Sequence, residues 1–151
     1  MTRYIFIVVG IFVLLGGWSW YQKQGGGDVS RMWGDTLVRC LPNGHENLAL
    51  HIHPNLSVFV DGERETIPAN IGILPLCMAE VHTHDTSGQI HIETVDASRT
   101  FTLSDFFAVW NTSLTREGYI LSASLNGDVV EYPENIVLAD HDTIILSYTR
   151  E

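Results

Sequence analysis

Five of the seven histidines in this chain fall in three short groups whose spacing suits metal binding. They are His51 with His53, His82 with His84, and His91. In an extended strand, residues two apart point to the same face, so each H-x-H pair presents two imidazoles side by side. Imidazole nitrogen is a good ligand for zinc and copper(II). The three groups therefore predict a transition-metal site that binds a copper or zinc ion.

The segment 80–93 has the pattern of a β-hairpin that brings three of these histidines together. A turn signal, DTSG, occupies residues 85–88. With the turn centred on that signal, His82 lies opposite His91, and His84 lies on the same face. Directly opposed residues have Cβ atoms about 4.5–5.5 Å apart, so the two histidines can share one ion. A shift by one residue would mix histidines with isoleucines on both faces, so the segregation fixes the register.

Carboxylates lie close to the histidines along the same hairpin. Asp85 follows His84, and Glu93 lies on the face that carries His91, so each is predicted to bind the metal or to orient a histidine. In the same register Glu80 lies opposite Glu93, and two opposed carboxylates repel each other unless a cation intervenes. The predicted ligands are His51, His53, His82, His84, His91, Asp85 and Glu93.

The two remaining histidines, His45 and His141, are isolated in the sequence and are predicted to be surface residues. The five grouped histidines allow either one site with neighbours to spare or two adjacent sites.

Two cysteines each lie several residues before a histidine group. In an oxidising compartment an even pair most often forms a disulfide, so Cys40 and Cys77 are predicted to fasten the start of the domain to its middle. The alternative is that Cys77, together with Met78, is a soft metal ligand. The disulfide is the favoured interpretation.

The elements that must position these residues are mostly strands. Alternation of period two predicts strands around residues 48–53 and 56–60, and Asp61-Gly62 and Asn126-Gly127 are hairpin signals. One short helix is predicted after Thr102, where an apolar stripe begins and where Thr102 and Asp105 have the spacing of a capping box. The fold class is α+β, a mostly antiparallel sheet built of hairpins with one short helix. The C-terminal part resembles a β-grasp arrangement.

The N-terminal segment is an apolar run without charge from residue 4 to residue 20, close to the minimum length of a membrane-spanning helix. We predict an uncleaved anchor over residues 1–24, a linker over 25–39, and an extracytoplasmic domain over 40–151 that faces the periplasm or the cell exterior. The alternative is a cleaved signal peptide.

Charge restricts the partners of this domain. The formal net charge is -10, and such a surface repels phosphate backbones and attracts cations. We therefore expect no nucleic-acid partner. The expected partners are a metal ion, the membrane through the N-terminal helix, and a protein that receives the metal.

Four segments resemble a widespread family of exported prokaryotic proteins: HIHPNLSVFVDG, IPANIGI, CMAEVHTHDTSGQIHIE and FTLSDFFAVW. That family carries an H-x-H near a V-D-G hairpin, then C-x-x-x-x-H-T-H-D, G-x-I-H-I-E and F-T-L-x-x-F-F. The resemblance covers about residues 40–110. It implies that Cys40, Cys77 and the histidine groups belong to the shared pattern, and it brings no activity with it.

Three functions compete on these grounds. The first is a binding protein that captures, buffers or delivers copper or zinc outside the cytoplasm. The second is a metalloenzyme with a three-histidine site on His82, His84 and His91, either a zinc hydrolase or an enzyme of copper or iron oxygen chemistry. The third is an assembly module in which the histidines bridge subunits through metal.

Overall fold

The computed structural model describes residues 33–34, 36–41 and 44–151. The predicted membrane anchor and most of the predicted linker lie outside these residues. Across the described residues, no helix has the length and apolar character needed to cross a bilayer.

The described chain is an α+β arrangement of mostly antiparallel sheets with one short α-helix, as predicted. The strands are β1 (Leu50–Ile52), β2 (Asn55–Val60), β3 (Glu63–Glu65), β4 (Ile73–Leu74), β5 (Cys77–Met78), β6 (Val81–His82), β7 (His91–Thr94), β8 (Tyr119–Leu125), β9 (Asp128–Val130) and β10 (Thr143–Arg150). The helix α1 spans Leu103–Trp110, and a 3-10 turn spans Pro133–Asn135.

The largest sheet has the strand order β3-β2-β10-β8-β9. Its outer hairpins turn at the two predicted dipeptides. Positive φ angles at Asp61 and Gly62 (50° and 87°) and at Asn126 and Gly127 (52° and 93°) suit two-residue hairpin turns. The central pair, β2 and β10, is parallel, which the sequence analysis did not predict. The β2–β3 and β8–β9 hairpins lie on either side of β10, and the helix lies between them in the chain. The β-grasp arrangement suggested for the C-terminal part stays a prediction.

The helix α1 begins with the predicted capping box. The backbone N–H of Thr102 donates to Asp105 Oδ2 at 2.8 Å, and the Asp105 N–H donates back to Thr102 Oγ1 at 3.4 Å. The predicted apolar stripe is confirmed as core, because Leu103, Phe106 and Phe107 are buried. This helix therefore closes the core rather than forming a ligand site.

A separate three-stranded sheet, in the order β1-β7-β6, carries the histidine groups. The predicted hairpin register is confirmed where β6 and β7 pair, because His82 lies opposite His91. The predicted pairing of His84 with Gln89 is not formed, since Gln89 bridges Asn55 of β2 instead. Gly88 anchors the connecting loop on the large sheet: its carbonyl accepts the Leu56 N–H at 2.9 Å. A Cβ at Gly88 would collide with the Leu56 carbonyl oxygen, and the φ of Gly88 is 91°, so the close approach requires glycine.

The predicted disulfide between Cys40 and Cys77 is present, with Cα atoms 5.1 Å apart. Cys77 is therefore not a thiolate ligand. The bridge holds the segment 39–41 beside 78–80, where Leu41 N–H donates to the Met78 carbonyl at 2.7 Å. The core also extends before the predicted domain start, because Trp33 and Val38, assigned to the linker, are buried in it.

Replacing both Cys40 and Cys77 with alanine should lower the free energy of unfolding by about 4 kcal/mol. The bridge spans a sequence separation of 37 residues, and loop closure in the unfolded chain accounts for a loss of that size. Urea unfolding of the two proteins measures the difference. A reducing agent should weaken the wild type to the same extent and leave the variant unchanged. Equal unfolding midpoints without reductant would contradict this prediction.

Candidate metal centre

His82 is fully buried, and its imidazole is fixed in one tautomer. Its Nδ1 lies 2.8 Å from the Ala79 carbonyl oxygen, which can only accept, so Nδ1 carries the hydrogen and Nε2 has a free lone pair. That Nε2 lies 3.2 Å from Nε2 of His84. Two nitrogens bound to a tetrahedral zinc ion at about 2.05 Å are separated by about 3.3 Å, so this pair has the separation of two ligands of one ion.

His51 on β1 and His53, which directly follows that strand, form a second pair at the opposite edge of the small sheet. Their Nε2 atoms are 3.0 Å apart, again a separation that two ligands of one ion can have. The His53 backbone N–H donates to Asp140 Oδ1 at 2.9 Å, which holds this end of β1 in place.

His91 lies on the central strand β7, between the two pairs. Its ring centroid is 4.5 Å from that of His84 and 4.7 Å from that of His53. Its Nδ1 is buried and has no hydrogen-bond partner in the described part of the chain. Two groups thus have ligand atoms within 4.8 Å of one another and could hold a metal ion. The first group consists of His82, His84, His91 and Glu93. The second group consists of His51, His53 and His91.

The Glu93 side chain is fully buried beneath these imidazoles. One carboxylate oxygen, Oε2, accepts from His45 Nδ1 at 2.7 Å. The other, Oε1, lies 3.0 Å from His51 Nε2 and 3.8 Å from His91 Nδ1, without a well-directed hydrogen bond. Within the described part of the chain, all ion-pair partners of Glu93 are histidines. A buried carboxylate requires a compensating positive charge, which a bound metal ion would supply.

Glu80 lies opposite Glu93, but its negative charge is compensated by an arginine of the protein and not by a bound cation. The Arg99 guanidinium is 2.9 Å from Glu80 Oε2, and the Thr94 hydroxyl donates to Oε1 at 2.8 Å. The backbone N–H of Arg39 donates to Oε2 at 2.9 Å. The Arg99 guanidinium therefore reduces the repulsion between the two opposed glutamates. Of the two, Glu93 is the one whose ion-pair partners are histidines.

Asp85, one of the predicted ligands, is not brought into either group. Its side chain is exposed, and Oδ1 accepts the backbone N–H of Ser87 at 2.8 Å, which shapes the turn. Hydrogen bonds from the Ser87 side chain and backbone hold the pKa of Asp85 below its usual value. The spacing of Asp85 and Ser87, two residues apart, is typical of a side chain that hydrogen-bonds the backbone within a turn.

His45 was predicted to be an isolated surface residue; it is exposed as predicted, but it is not isolated from the other histidines. Although its side chain is 54% exposed, it pairs with Glu93, and its ring centroid is 5.4 Å from that of His84. The signal was its position five residues after Cys40, because the disulfide brings this loop over the hairpin. His141, by contrast, lies on the surface as predicted, beside Asp140.

Burial tunes two of the histidines toward the neutral, metal-binding form. Desolvation lowers the pKa of His82 to about 4, and the hydrogen bond to Ala79 opposes it only in part. Desolvation, with the nearby His84 and His53, lowers the pKa of His91 to about 4. Both imidazoles are therefore neutral at pH 7, and protons compete only weakly with a metal ion for their nitrogens.

The metal-free protein should lose stability as the pH falls. Unfolded His82 and His91 take up protons near pH 6.5, whereas the folded state takes them up only near pH 4. The free energy of unfolding is therefore highest above pH 6.5 and declines toward pH 4. Urea unfolding at several pH values checks this. His82→Gln should flatten the decline, and His141→Ala should leave it unchanged; an equal slope in all three proteins would refute the cause.

Replacing Glu93 with glutamine should weaken metal binding by about 10–100-fold, the usual cost of losing a carboxylate that binds or orients at a metal site. The metal-free variant should be as stable as the wild type or more so at a pH where the neighbouring histidines are neutral, because it lacks a buried charge that only protonated histidines compensate. Competition with a chelator measures the affinity, and the exposed Glu131→Gln is the matched control. Equal affinity of both variants would show that Glu93 does not serve the metal.

No family model, curated protein or solved structure matches this chain, so the resemblance to the exported prokaryotic family remains a prediction.

Proposed function

We propose that this protein binds copper(II) or zinc outside the cytoplasm, in order to capture, buffer or deliver the metal. The observation that carries the proposal is the buried Glu93 carboxylate, which is surrounded by imidazoles. Beside it, Glu93 Oε1 and His91 Nδ1 are buried polar atoms without hydrogen-bond partners. A cation placed between these two atoms would satisfy both of them.

The chemistry of the donor set favours borderline divalent ions. The grouped ligand atoms are imidazole nitrogens and a carboxylate oxygen. Both cysteines are joined in the disulfide and offer no thiolate, the ligand that soft copper(I) prefers. Nitrogen and oxygen donors with several imidazoles suit zinc and copper(II).

The disulfide, the apolar N-terminal segment and the net charge support the proposed location and partners of the protein. A disulfide indicates an oxidising compartment, which supports export of the domain. The apolar segment 4–20 supports anchoring to the membrane as a single-pass protein. The net charge of -10 raises the local concentration of cations around the site. A delivery role also requires a second protein that receives the metal from this face.

A metalloenzyme is the second candidate, and one observation favours it. His84 is exposed although its partner His82 is fully buried, so the group His82, His84 and His91 opens to solvent on one side. A zinc ion with three histidine ligands and a solvent-facing position could activate water. An exchangeable water on the bound ion would support this role, and a saturated shell without water would end it.

Metal content tests the proposal directly. The full-length chain, purified in detergent and stripped with a chelator, is incubated with zinc or copper(II), freed of excess metal and analysed for its elements. We expect sub-micromolar binding of at least one ion per chain, lost in His82→Ala/His91→Ala and retained in His141→Ala. Failure of the folded, disulfide-bonded wild type to retain either metal would refute the proposal.

A further inference from the structure

We infer that the histidine cluster holds two metal ions rather than one, with the His91 imidazole shared between them. This inference rests on the proposed function and specifies its site. One ion would be held by His82 and His84, and the other by His51 and His53.

The two pairs are separated by a strand. His51 lies on β1 and His82 on β6, and the central strand β7 runs between them. Neighbouring strands are about 4.8 Å apart, so the backbones of the outer strands are about 10 Å apart. The two pairs accordingly fall into two different groups of possible ligands.

Each pair is already spaced to chelate an ion of its own. The Nε2–Nε2 distances are 3.2 Å for His82 with His84 and 3.0 Å for His51 with His53. Two nitrogens on one ion are about 3.3 Å apart in tetrahedral geometry. Without an ion, each pair is joined by a hydrogen bond between its two imidazoles. If a single ion used one pair, the other would keep only that hydrogen bond and leave two potential ligands unused.

His91 is the ligand common to both groups. Its ring faces one member of each pair at a similar distance, 4.5 Å to His84 and 4.7 Å to His53 between centroids. An imidazole has two ring nitrogens on different edges, and each can bind a metal once the N–H proton has passed to solvent. Among the residues that the structure describes, none forms a hydrogen bond with His91 Nδ1 that would compete with a metal ion.

Glu93 supplies negative charge to both positions. Its Oε1 lies 3.0 Å from His51 Nε2 and 3.8 Å from His91 Nδ1, so the same oxygen borders both groups. A fully buried carboxylate in this place offsets part of the repulsion between two neighbouring cations, because electrostatic interactions are strong away from water.

The test counts ions in the full-length chain, purified in detergent and loaded separately with zinc and with copper(II) against a competing chelator. His53→Ala removes a ligand from one position, and His84→Ala removes a ligand from the other. His141→Ala is the matched control on the surface. Electron paramagnetic resonance of the copper(II)-loaded proteins reports whether two ions share a bridging ring, since sharing couples their spins and weakens the signal relative to the copper content.

We expect two ions per chain in the wild type and in His141→Ala, and one ion in each of the other two variants. The copper signal should be weakened in the wild type and full in the two single-site variants. One ion in the wild type, reduced alike by both variants, would overturn the two-ion inference and leave the proposed function standing. Two ions with a full signal would overturn the sharing of His91. No ion in the wild type would overturn the proposed function itself.

Discussion

The Glu93 carboxylate is fully buried, and its charged neighbours in the described chain are imidazoles. An uncompensated carboxylate in such a position costs several kcal/mol, and in a protein it persists only where a cation or a proton is supplied. The neutral imidazole that burial favours at His91 does not supply that charge, and His45 and His51 supply it only when they are protonated. A bound metal ion would supply it, with the same imidazole nitrogens as its ligands. The proposed metal site therefore depends on this single buried carboxylate.

The fold keeps the two opposed glutamates of the hairpin in different electrostatic surroundings. Glu80 has an arginine and a hydroxyl, so it is a permanently satisfied part of the structure. Glu93 has only titratable partners, so its surroundings can respond to a ligand. The hairpin is fastened near one end by the disulfide at Cys77 and at its loop by the hydrogen bond between Gly88 and Leu56. A preformed cluster loses less entropy on binding an ion than a flexible one would.

Local signals in the sequence predicted much of this arrangement. Segregation of histidine from isoleucine set the register that pairs His82 with His91, because a slip would have mixed the two faces. Pairings between residues distant in the chain had no local signal. The parallel alignment of β2 with β10 and the placement of His51 opposite Glu93 belong to this class. His45 escaped prediction for the same reason, since only the folded loop brings it to Glu93.

X-ray absorption at the metal edge of the loaded full-length chain tests the central claim most directly. For zinc held by the histidine cluster, we expect a first shell of nitrogen and oxygen at about 2.0–2.1 Å, with the multiple scattering that imidazole rings produce and no sulfur. That spectrum would identify the histidine cluster as the binding site. A shell of oxygen without imidazole scattering, or a sulfur ligand at about 2.3 Å, would contradict it, because the ion would then be bound elsewhere on the chain.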